Sequence, residues 1–401
     1  MSPALLAVAL AAVALQVGAA VSSLLLAPLL ARRGWACARR RGPGEVEFVI
    51  TTKATEGVMG VLREVIERVR RGFPGYTIWV VADHDSPGLG ELRLWRWELG
   101  FNLVVVPRDY RRGRYKSRAI QYFIDNYVDE DKWYVFLDDD SYPLDDRFLC
   151  ELRDDVPVYN GHIYPRRGRS LLAWLADGSR YYNSITRQRL ALGLLHKPVY
   201  GLHGELLIVK GWVLKRVPMA SDSLAEDSLY AARLIRAGIP VGMVSTRVSI
   251  LSPHSVVDFW RQRARWNLGA LRDMARGLYP PSMMAGKGVD ITLWLLAPLS
   301  PLFWGILAAS LHGHPHGLEA LALAGTGLYA LFVANHGLVA ARELGPLRGL
   351  LLVGLSIPAL TLLYYLSPVY ATLKAGELGR RFVIIEKSPR HQRPIEPPRE
   401  S

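Results

Sequence analysis

The sequence contains three aspartates in succession, Asp138–Asp140, directly after the apolar run Trp133–Leu137. A short apolar run that ends in such a polar group is typical of a buried strand. Side chains two positions apart share a face at an extended strand end, so Asp138 and Asp140 are predicted to point into one site. Their carboxylates suit Mg²⁺ or Mn²⁺, with phosphate oxygens and water completing the coordination. The alternative is a solvated acidic turn before Pro143, but the position at a strand end favours the metal site.

Two adjacent carboxylates, Glu226 and Asp227, precede a predicted helix over Ser228–Ala237. Acidic residues in a first helical turn can simply complement the helix dipole. One of them can instead act as a general base that takes the proton of an attacking hydroxyl group. The pattern alone leaves both interpretations open.

A third group, Gln262–Trp266, has the sequence Gln-Arg-Ala-Arg-Trp. In a helix, Gln262, Arg265 and Trp266 lie on one side because they are three and four positions apart. The planar guanidinium of Arg265 suits phosphate oxygens, and Trp266 offers a flat apolar face for a sugar ring. An interfacial helix with tryptophan at the bilayer surface would show the same pattern, and both interpretations can hold at once.

The domain that must position these groups is predicted over residues 45–270, where apolar strands alternate with amphipathic helices. This alternation predicts an α/β fold with a mostly parallel, Rossmann-like sheet. Ligands bind such sheets outside the carboxyl ends of the strands, and Thr51 and Asp83 end two of the predicted strands. Lys116 begins a helix after a basic loop, and we expect it to contact an anionic donor.

Four apolar segments predict an α-helical membrane domain, since about 20 apolar residues cross a bilayer. Residues 2–31 carry no charged side chain, and three further apolar stretches lie at 289–311, 317–340 and 347–372. We therefore predict a transmembrane anchor over 1–31 and transmembrane helices within 271–373. The apolar core of 1–31 is longer than the roughly 7–15 residues of a cleaved signal peptide.

Orientation is predicted from the arginines that follow the first apolar segment. Positively charged flanks usually stay inside, which predicts a multi-pass protein of the plasma membrane with its catalytic domain facing the cytosol. The arginines are Arg32, Arg33, Arg39, Arg40 and Arg41.

The formal net charge is +13, but the basic residues cluster at the membrane junction and in particular loops. A membrane protein beside an anionic leaflet, or an enzyme that handles nucleotide diphosphates, would show the same excess. Nucleic-acid binding would instead be supported by long basic tracts and steeply salt-dependent affinity, so we expect no nucleic-acid partner.

Cysteine and histidine contribute little to the predicted chemistry. Cys37 and Cys150 are the only cysteines, and their wide separation predicts no disulfide framework and fits a reducing compartment. Four histidines are interpreted as ordinary polar residues: His162, His196, His203 and His254.

Together, these groups resemble the family 2 inverting glycosyltransferases of the cellulose-synthase-like type. Over about residues 46–270, the chain is also similar to egghead-type β-1,4-mannosyltransferases. The blocks that carry this similarity are Val106–Tyr110, Lys116–Tyr122, Leu195–Pro198, Ala225–Asp227 and Asp258–Arg263. The resemblance implies a GT-A fold beside a membrane domain, a divalent metal, GDP-mannose as donor, and a membrane lipid or lipid-linked glycan as acceptor.

The resemblance also implies roles for single residues. Asp227 would be the catalytic base, with Glu226 beside it, and the chain departs from the family in having Ala225 where threonine is usual. The remaining roles fall on Asp83 at the nucleotide, Asp138 and Asp140 at the diphosphate and metal, Gln262 and Arg265 at the pyrophosphate, and Trp266 at the acceptor.

Two other functions use the same residues differently. A UDP-sugar-dependent polysaccharide synthase, whether processive or not, would share the chemistry, but three C-terminal spans and one anchor are too few for a secretion channel. A nucleotide-binding membrane regulator with a degenerate site is disfavoured because all the expected acids are present.

The membrane topology contains a conflict at the sequence level. Three full C-terminal crossings would place the tail, residues 374–401, outside, whereas its basic residues and the strand-like run Phe382–Lys387 are typical of the cytosolic side. We therefore predict that Leu355–Ala371, interrupted by Pro358 and Pro368, is re-entrant or interfacial.

Overall fold

The computed structural model describes residues 2–31, 37 and 39–378 of the chain. The strands are β1 Val46–Thr52, β2 Thr77–Asp83, β3 Asn102–Val106, β4 Trp133–Asp138, β5 Ser141–Pro143, β6 Val158–Arg166, β7 Leu207–Lys210 and β8 Val241–Leu251. The helices of the catalytic region are α2 Glu56–Gly72, α3 Leu89–Leu99, α4 Tyr115–Tyr127, α5 Phe148–Glu151, α6 Leu171–Asn183, α7 Arg189–Gly193, α8 Gly211–Arg216, α9 Glu226–Arg236 and α10 Val256–Ala275. The remaining helices are α1 Pro3–Ala31, α11 Pro281–Leu296, α12 Ser300–Ser310, α13 Pro315–Leu344, α14 Pro346–Leu373 and α15 Ala375–Leu378. A π-helical segment, Ser184–Gln188, joins α6 to α7, and a 3₁₀ turn, Ala297–Leu299, joins α11 to α12.

The strands of the described chain form one sheet in the order β3-β2-β1-β4-β7-β6-β8-β5. β1, β2, β3 and β4 are parallel neighbours, and β6 is parallel to β8. β7 runs antiparallel to β4 and β6, and β5 runs antiparallel to β8. The predicted α/β fold with a mostly parallel sheet is confirmed.

The sheet is buried on both faces, which explains the continuous apolar runs of its central strands. Along β1, Phe48 belongs to a core that includes Leu62 of α2, and the next residue, Val49, belongs to a second core that includes Phe123 of α4. Successive strand side chains point to opposite faces, so helices on both sides hold the strand ends in place. The carboxyl ends of β1, β2 and β4 therefore form a rigid edge.

Three helical segments in the described part of the chain are long and apolar enough to cross a membrane: Pro281–Ser310, Pro315–Leu344 and Pro346–Leu373. They coincide with the apolar stretches predicted from the sequence. α1 is a helix of 29 residues that packs against α12 through Ala9 and Phe303. The anchor over 1–31 and the other predicted domain boundaries remain predictions.

The predicted interruption of Leu355–Ala371 is wrong, because α14 continues through both Pro358 and Pro368. Proline is tolerated in such helices when neighbouring groups satisfy the backbone that it leaves unpaired. The indole of Trp260 in α10 donates to the carbonyl of Leu363 at 2.7 Å, which ties α14 to α10 near Pro368. The run Phe382–Lys387 lies outside the described residues, so the side of the tail remains a prediction.

The prediction from the two cysteines is also wrong, because Cys37 and Cys150 form a disulfide with their Cα atoms 4.9 Å apart. The segment after α1 returns to α5, where the backbone N–H of Arg41 donates to the carbonyl of Leu149 at 2.8 Å. Distance along the chain did not reveal this contact. The cysteines therefore no longer support a reducing compartment.

Candidate active site

A cavity of about 460 Å³ lies at the carboxyl ends of β1, β2 and β4. All ten side chains that the sequence predicted for the site line it: Thr51, Asp83, Lys116, Asp138, Asp140, Glu226, Asp227, Gln262, Arg265 and Trp266. They come from the strand ends, from the first turns of α4 and α9, and from the middle of α10. The structure brings the predicted set together, and the roles of its members remain predictions.

Asp83 ends β2 as a buried carboxylate with 4% of its surface exposed. It forms ion pairs with Lys53, at 2.5 Å, and with Arg118. Arg118 is held in turn by the carbonyl of Pro107, to which it donates at 2.5 Å. Two cations thus hold Asp83 in one orientation at the cavity wall, where its oxygens can accept hydrogen bonds from ligand hydroxyl or amino groups.

The turn after β4 is held by hydrogen bonds from both of its sides. The backbone N–H of Asp138 donates to the hydroxyl of Ser141 at 2.9 Å, and the hydroxyl of Thr52 donates to Asp139 at 3.0 Å. Asp140 is 3% exposed, and its carbonyl accepts from Arg166 at 2.9 Å. The carboxylates of Asp138 and Asp140 therefore reach the cavity from an ordered turn.

Lys116 forms an ion pair with Asp138 and lies close to Gly204 and Asp227. A methyl group at Gly204 would lie 2.4 Å from the ammonium of Lys116 and 3.2 Å from a carboxylate oxygen of Asp227. Burial alone would lower the pKa of Lys116, but the carboxylates of Asp138, Asp227 and Glu226 together raise it. The ammonium therefore stays charged.

Asp227 is surrounded by more negative than positive charge. Burial raises the pKa of its carboxyl, the ammonium of Lys116 lowers it, and the carboxylates of Glu226, Asp138 and Glu205 raise it again, to about 8. A carboxylate with a pKa near neutrality accepts a proton readily at physiological pH. The same excess of negative charge favours a bound cation.

A divalent metal at this site would need oxygen atoms from a bound substrate as well as from protein carboxylates. No group of three or more histidine, cysteine, aspartate or glutamate side chains in the described chain is arranged to hold a metal ion. Asp138 and Asp140 supply hard oxygen donors of the kind that Mg²⁺ and Mn²⁺ prefer, and Mg²⁺ is usually bound by one or two carboxylates together with substrate phosphates. The residues therefore fit a metal that is shared with a diphosphate.

Helix α10 carries the third predicted group, and Ser255 caps it by accepting from the backbone N–H of Asp258 at 3.0 Å. Two guanidinium groups lie against the indole of Trp266. The central carbon of Arg180 is 5.0 Å from the ring centre, and that of Arg263 is 4.6 Å from it. A sugar at this wall would meet a combined surface of indole and guanidinium groups rather than a bare ring.

The sequence did not predict an ion pair beneath this surface. Arg180 pairs with Glu205 at 2.6 Å, with side chains 13% and 11% exposed, and His203 lies 3.4 Å from the same carboxylate. All three line the cavity, so His203 lies at the cavity wall, and its interpretation as an ordinary polar residue stays a prediction. No local pattern marks these residues, because α6 and the loop before β7 meet only in the folded chain.

A second set of cavity residues was also missed, on the side of the apolar helices. It comprises Asn183, Ser184, Gln188, Tyr200 and Lys287. Lys287 offered a signal, because an ionisable residue at the start of an apolar segment is a candidate functional residue. The others carry no pattern that points to a site.

Residues 133–373 match the sequence model of the family described as Glycosyl transferase family group 2. The match runs from β4 to the end of α14 and covers more than half of the chain. The chain belongs to this family. It is a glycosyltransferase, as the sequence predicted.

Within this family, the chain is similar to two animal proteins. It is 25% identical over 255 residues to beta-1,4-mannosyltransferase egh of Drosophila melanogaster, a match that covers 60% of this chain and 54% of that protein. It is 24% identical over 215 residues to beta-1,4-mannosyltransferase bre-3 of Caenorhabditis briggsae, covering 50% and 47% of the two chains. The chain thus spans about half the length of the curated relatives that it matches.

A solved structure with a similar fold is that of mannosyltransferase PcManGT from Pyrobaculum calidifontis, in complex with GDP-Man and Mn²⁺. It has a TM-score of 0.55 and 18% identity, and the match covers 88% of this chain and 97% of that one. At 18% sequence identity, this similarity shows a shared fold and nothing about activity. The family 2 glycosyltransferase therefore has the predicted GT-A fold with apolar C-terminal helices.

Proposed function

We propose that this glycosyltransferase is a membrane-bound, inverting, metal-dependent enzyme. It transfers mannose from GDP-mannose to a lipid or lipid-linked glycan acceptor and forms a β-linkage. The observation that carries the proposal is that the strand-end aspartates, Asp227, and Gln262 with Arg265 line one cavity. The names of the animal relatives and of the similar structure support mannose and GDP as the donor groups.

The donor would be held at the strand ends. Asp83 would accept hydrogen bonds from the nucleoside, and Gln262 and Arg265 would donate to the pyrophosphate. Asp138 and Asp140 would hold Mg²⁺ or Mn²⁺, which supplies positive charge to the diphosphate as it leaves. Lys116 adds a fixed positive charge beside Asp138.

Transfer would take place in a single displacement with inversion at the sugar carbon. An acceptor hydroxyl oxygen forms a bond to C1 of the mannosyl group while the bond from C1 to the diphosphate oxygen breaks. The electron pair of that bond leaves with GDP, and the hydroxyl proton passes to the carboxylate of Asp227. Glu226 and Asp138 add negative charge near this carboxylate, which strengthens it as a base.

The acceptor is proposed to come from the membrane. Lys287 of α11, within the apolar segment Pro281–Ser310, lines the same cavity as Asp227. The arginines after α1 favour a plasma-membrane enzyme whose catalytic domain faces the cytosol, whereas the disulfide between Cys37 and Cys150 is more typical of an oxidising compartment. The predicted partners are therefore a nucleotide-sugar donor, a membrane acceptor and the bilayer.

Donor turnover by the purified protein tests this proposal. GDP-mannose, UDP-glucose and UDP-N-acetylglucosamine would be offered with Mn²⁺ and membrane lipid extract, and release of nucleoside diphosphate would be measured. We expect GDP release from GDP-mannose alone, with loss of turnover on addition of EDTA. Release from a UDP-sugar instead would contradict the donor assignment, and turnover that is insensitive to EDTA would contradict the metal.

A further inference from the structure

The cavity extends beyond the predicted donor residues to the π-helical segment Ser184–Gln188 and to α11. π-Helical turns are rare and often occur at functional sites. This part of the cavity lies where the catalytic domain meets the apolar helices, because α1 also contacts the π-helical segment. We call this part the membrane-side pocket and define it by Asn183, Gln188, Tyr200 and Lys287; Arg187 lies beside it, over the ring of Tyr200.

Lys287 lies in the membrane-side pocket near the carboxylates of Asp290 and Asp227 but forms an ion pair with neither. Lys287 makes no hydrogen bond or ion pair with any other residue that the structure describes. Its ammonium would lie 3.5 Å from a methyl group at Gly201, and the hydroxyl of Ser228 would lie 2.8 Å from the same group. Lys287 thus reaches from α11 across the pocket towards the first turn of α9, which carries Asp227.

Arg187 adds a second cation that is only partly satisfied. It pairs with Asp290 of α11, donates to the side-chain oxygen of Asn183 at 3.0 Å, and lies over the ring of Tyr200 at 5.4 Å. Its Nε is buried without a hydrogen-bond partner within the described chain. Asp290 is therefore paired with Arg187, and Lys287 is left without a direct ion pair in the described chain.

Gln188 supplies a neutral group beside these cations. Its side-chain oxygen is buried, and no described residue donates to it. A buried acceptor without a donor is unfavourable unless a ligand provides the hydrogen bond. A hydroxyl group of a sugar would satisfy it.

We infer that the membrane-side pocket binds the phosphate group of a lipid-phosphate-linked saccharide, with Lys287 at the phosphate and Gln188 at a sugar hydroxyl. This inference rests on the proposed function, since it names the class of acceptor for the same site. Cations at the level of lipid headgroups attract anionic headgroups, and the apolar helices α1 and α11 beside the pocket suit the lipid chain. The placement of Lys287 near Asp227 would bring the sugar hydroxyl to the base.

The donor diphosphate is the other source of phosphate that Lys287 could bind. The two sources are separated by measuring donor and acceptor affinity in the same variants. Binding would be measured by calorimetry on the full chain in phosphatidylcholine nanodiscs, with dodecyl-diphosphate-linked glucose, neutral dodecyl glucoside, and GDP-mannose with Mn²⁺ as three separate probes.

The variant Lys287→Gln should weaken binding of the diphosphate-linked probe by roughly tenfold or more, the usual size of a lost charge-assisted hydrogen bond. Binding of dodecyl glucoside and of GDP-mannose should change by less than about twofold. Lys287→Arg, which keeps the charge, should retain most of the affinity. Lys374→Gln, at an exposed lysine paired with Glu377, is the matched control and should bind all three probes like the wild type.

Two results would overturn the inference. One is equal affinity of the wild type for the diphosphate-linked and neutral probes, and the other is an effect of Lys287→Gln on GDP-mannose alone, which would assign the phosphate to the donor. Failure of the wild type to bind GDP-mannose would instead count against the proposed function, and the lipid probes would still decide this inference. Thermal unfolding of each variant separates a local effect from misfolding.

Discussion

The ammonium of Lys116 is paired with the carboxylate of Asp138, and the space that Gly204 leaves open adjoins both this ammonium and the carboxylate of Asp227. One cation therefore connects the predicted diphosphate site with the predicted base. The carboxylates around it are in excess, which keeps Lys116 charged and raises the pKa of Asp227.

Gly204→Ala should disturb this arrangement directly. The added methyl group would lie 2.4 Å from the ammonium of Lys116, so Lys116 must move away from Asp138 or the loop must shift. We expect transfer to fall by roughly tenfold to a hundredfold, corresponding to one lost charge-assisted hydrogen bond. The check is kcat/KM for GDP-mannose.

Gly90→Ala is the matched control, because Gly90 lies in α3 with nothing near its added methyl group. It should leave transfer unchanged and stabilise the helix slightly. Equal activity of the two variants would show that the space at Gly204 has no role.

Asp227→Asn should make the free enzyme more stable at neutral and alkaline pH. The folded pKa of Asp227, about 8, lies above the ordinary value of 3.8, so the folded state loses stability as pH rises between these values. Asparagine resembles the neutral carboxyl and escapes this loss. The gain should be absent below pH 4 and reach at least about 1.4 kcal/mol, the equivalent of one pKa unit, near pH 8.

Thermal unfolding in detergent from pH 5 to pH 9 measures this trend. Asp222→Asn serves as the control, since Asp222 is an exposed carboxylate paired with Arg276, and its melting temperature should stay close to that of the wild type. A melting-temperature difference for Asp227→Asn that shrinks as pH rises would contradict the assigned environment of Asp227.

Glu205→Gln should lower the free energy of unfolding and loosen the contact between Arg180 and the indole of Trp266, because Glu205 is the ion-pair partner of Arg180. It leaves the buried guanidinium of Arg180 without its carboxylate, a change that typically costs roughly 3–5 kcal/mol. Asp155→Asn breaks an exposed pair with Arg153 and should leave the melting temperature unchanged. If both variants have the melting temperature of the wild type, the ion pair of Arg180 and Glu205 does not stabilise the fold.

Reduction of the disulfide between Cys37 and Cys150 should lower stability. The bond joins residues 113 positions apart, and removing such a crosslink typically costs roughly 2–4 kcal/mol. The measurement is the melting temperature with and without reductant, beside Cys150→Ser, in which reductant should have no further effect. Free thiols in the purified, untreated protein would contradict the pairing.

Local patterns were sufficient to predict the strand ends and the residues that follow them. Thr51, Asp83 and Asp138 each end a parallel strand, and the topology alone brings such ends to one edge of a sheet. Gln262 and Trp266 were found because they share a helix face, where spacing decides position.

Contacts between distant segments could not be predicted in this way. Arg180 and Glu205 meet only because α6 and the loop before β7 come together in the folded chain. Cys37 and Cys150, 113 positions apart, likewise meet only after folding. β6 also lacks the simple apolar pattern of a buried strand, because Asn160 is fully buried in it and donates to the carbonyls of His203 and Leu206. A buried polar residue whose hydrogen-bond partners lie in a later loop cannot be recognised from the residues next to it in the sequence.

The most direct test of the account is mannosyl transfer by Asp227→Asn, with the affinity for GDP-mannose and Mn²⁺ measured in parallel. Loss of a general base should lower kcat by roughly a hundredfold to ten-thousandfold, while the donor Kd stays within about twofold because Asp227 takes the acceptor proton and does not hold the diphosphate. Unchanged kcat in this variant, or a loss of donor binding that accounts for the whole defect, would contradict the assignment of Asp227 as the base.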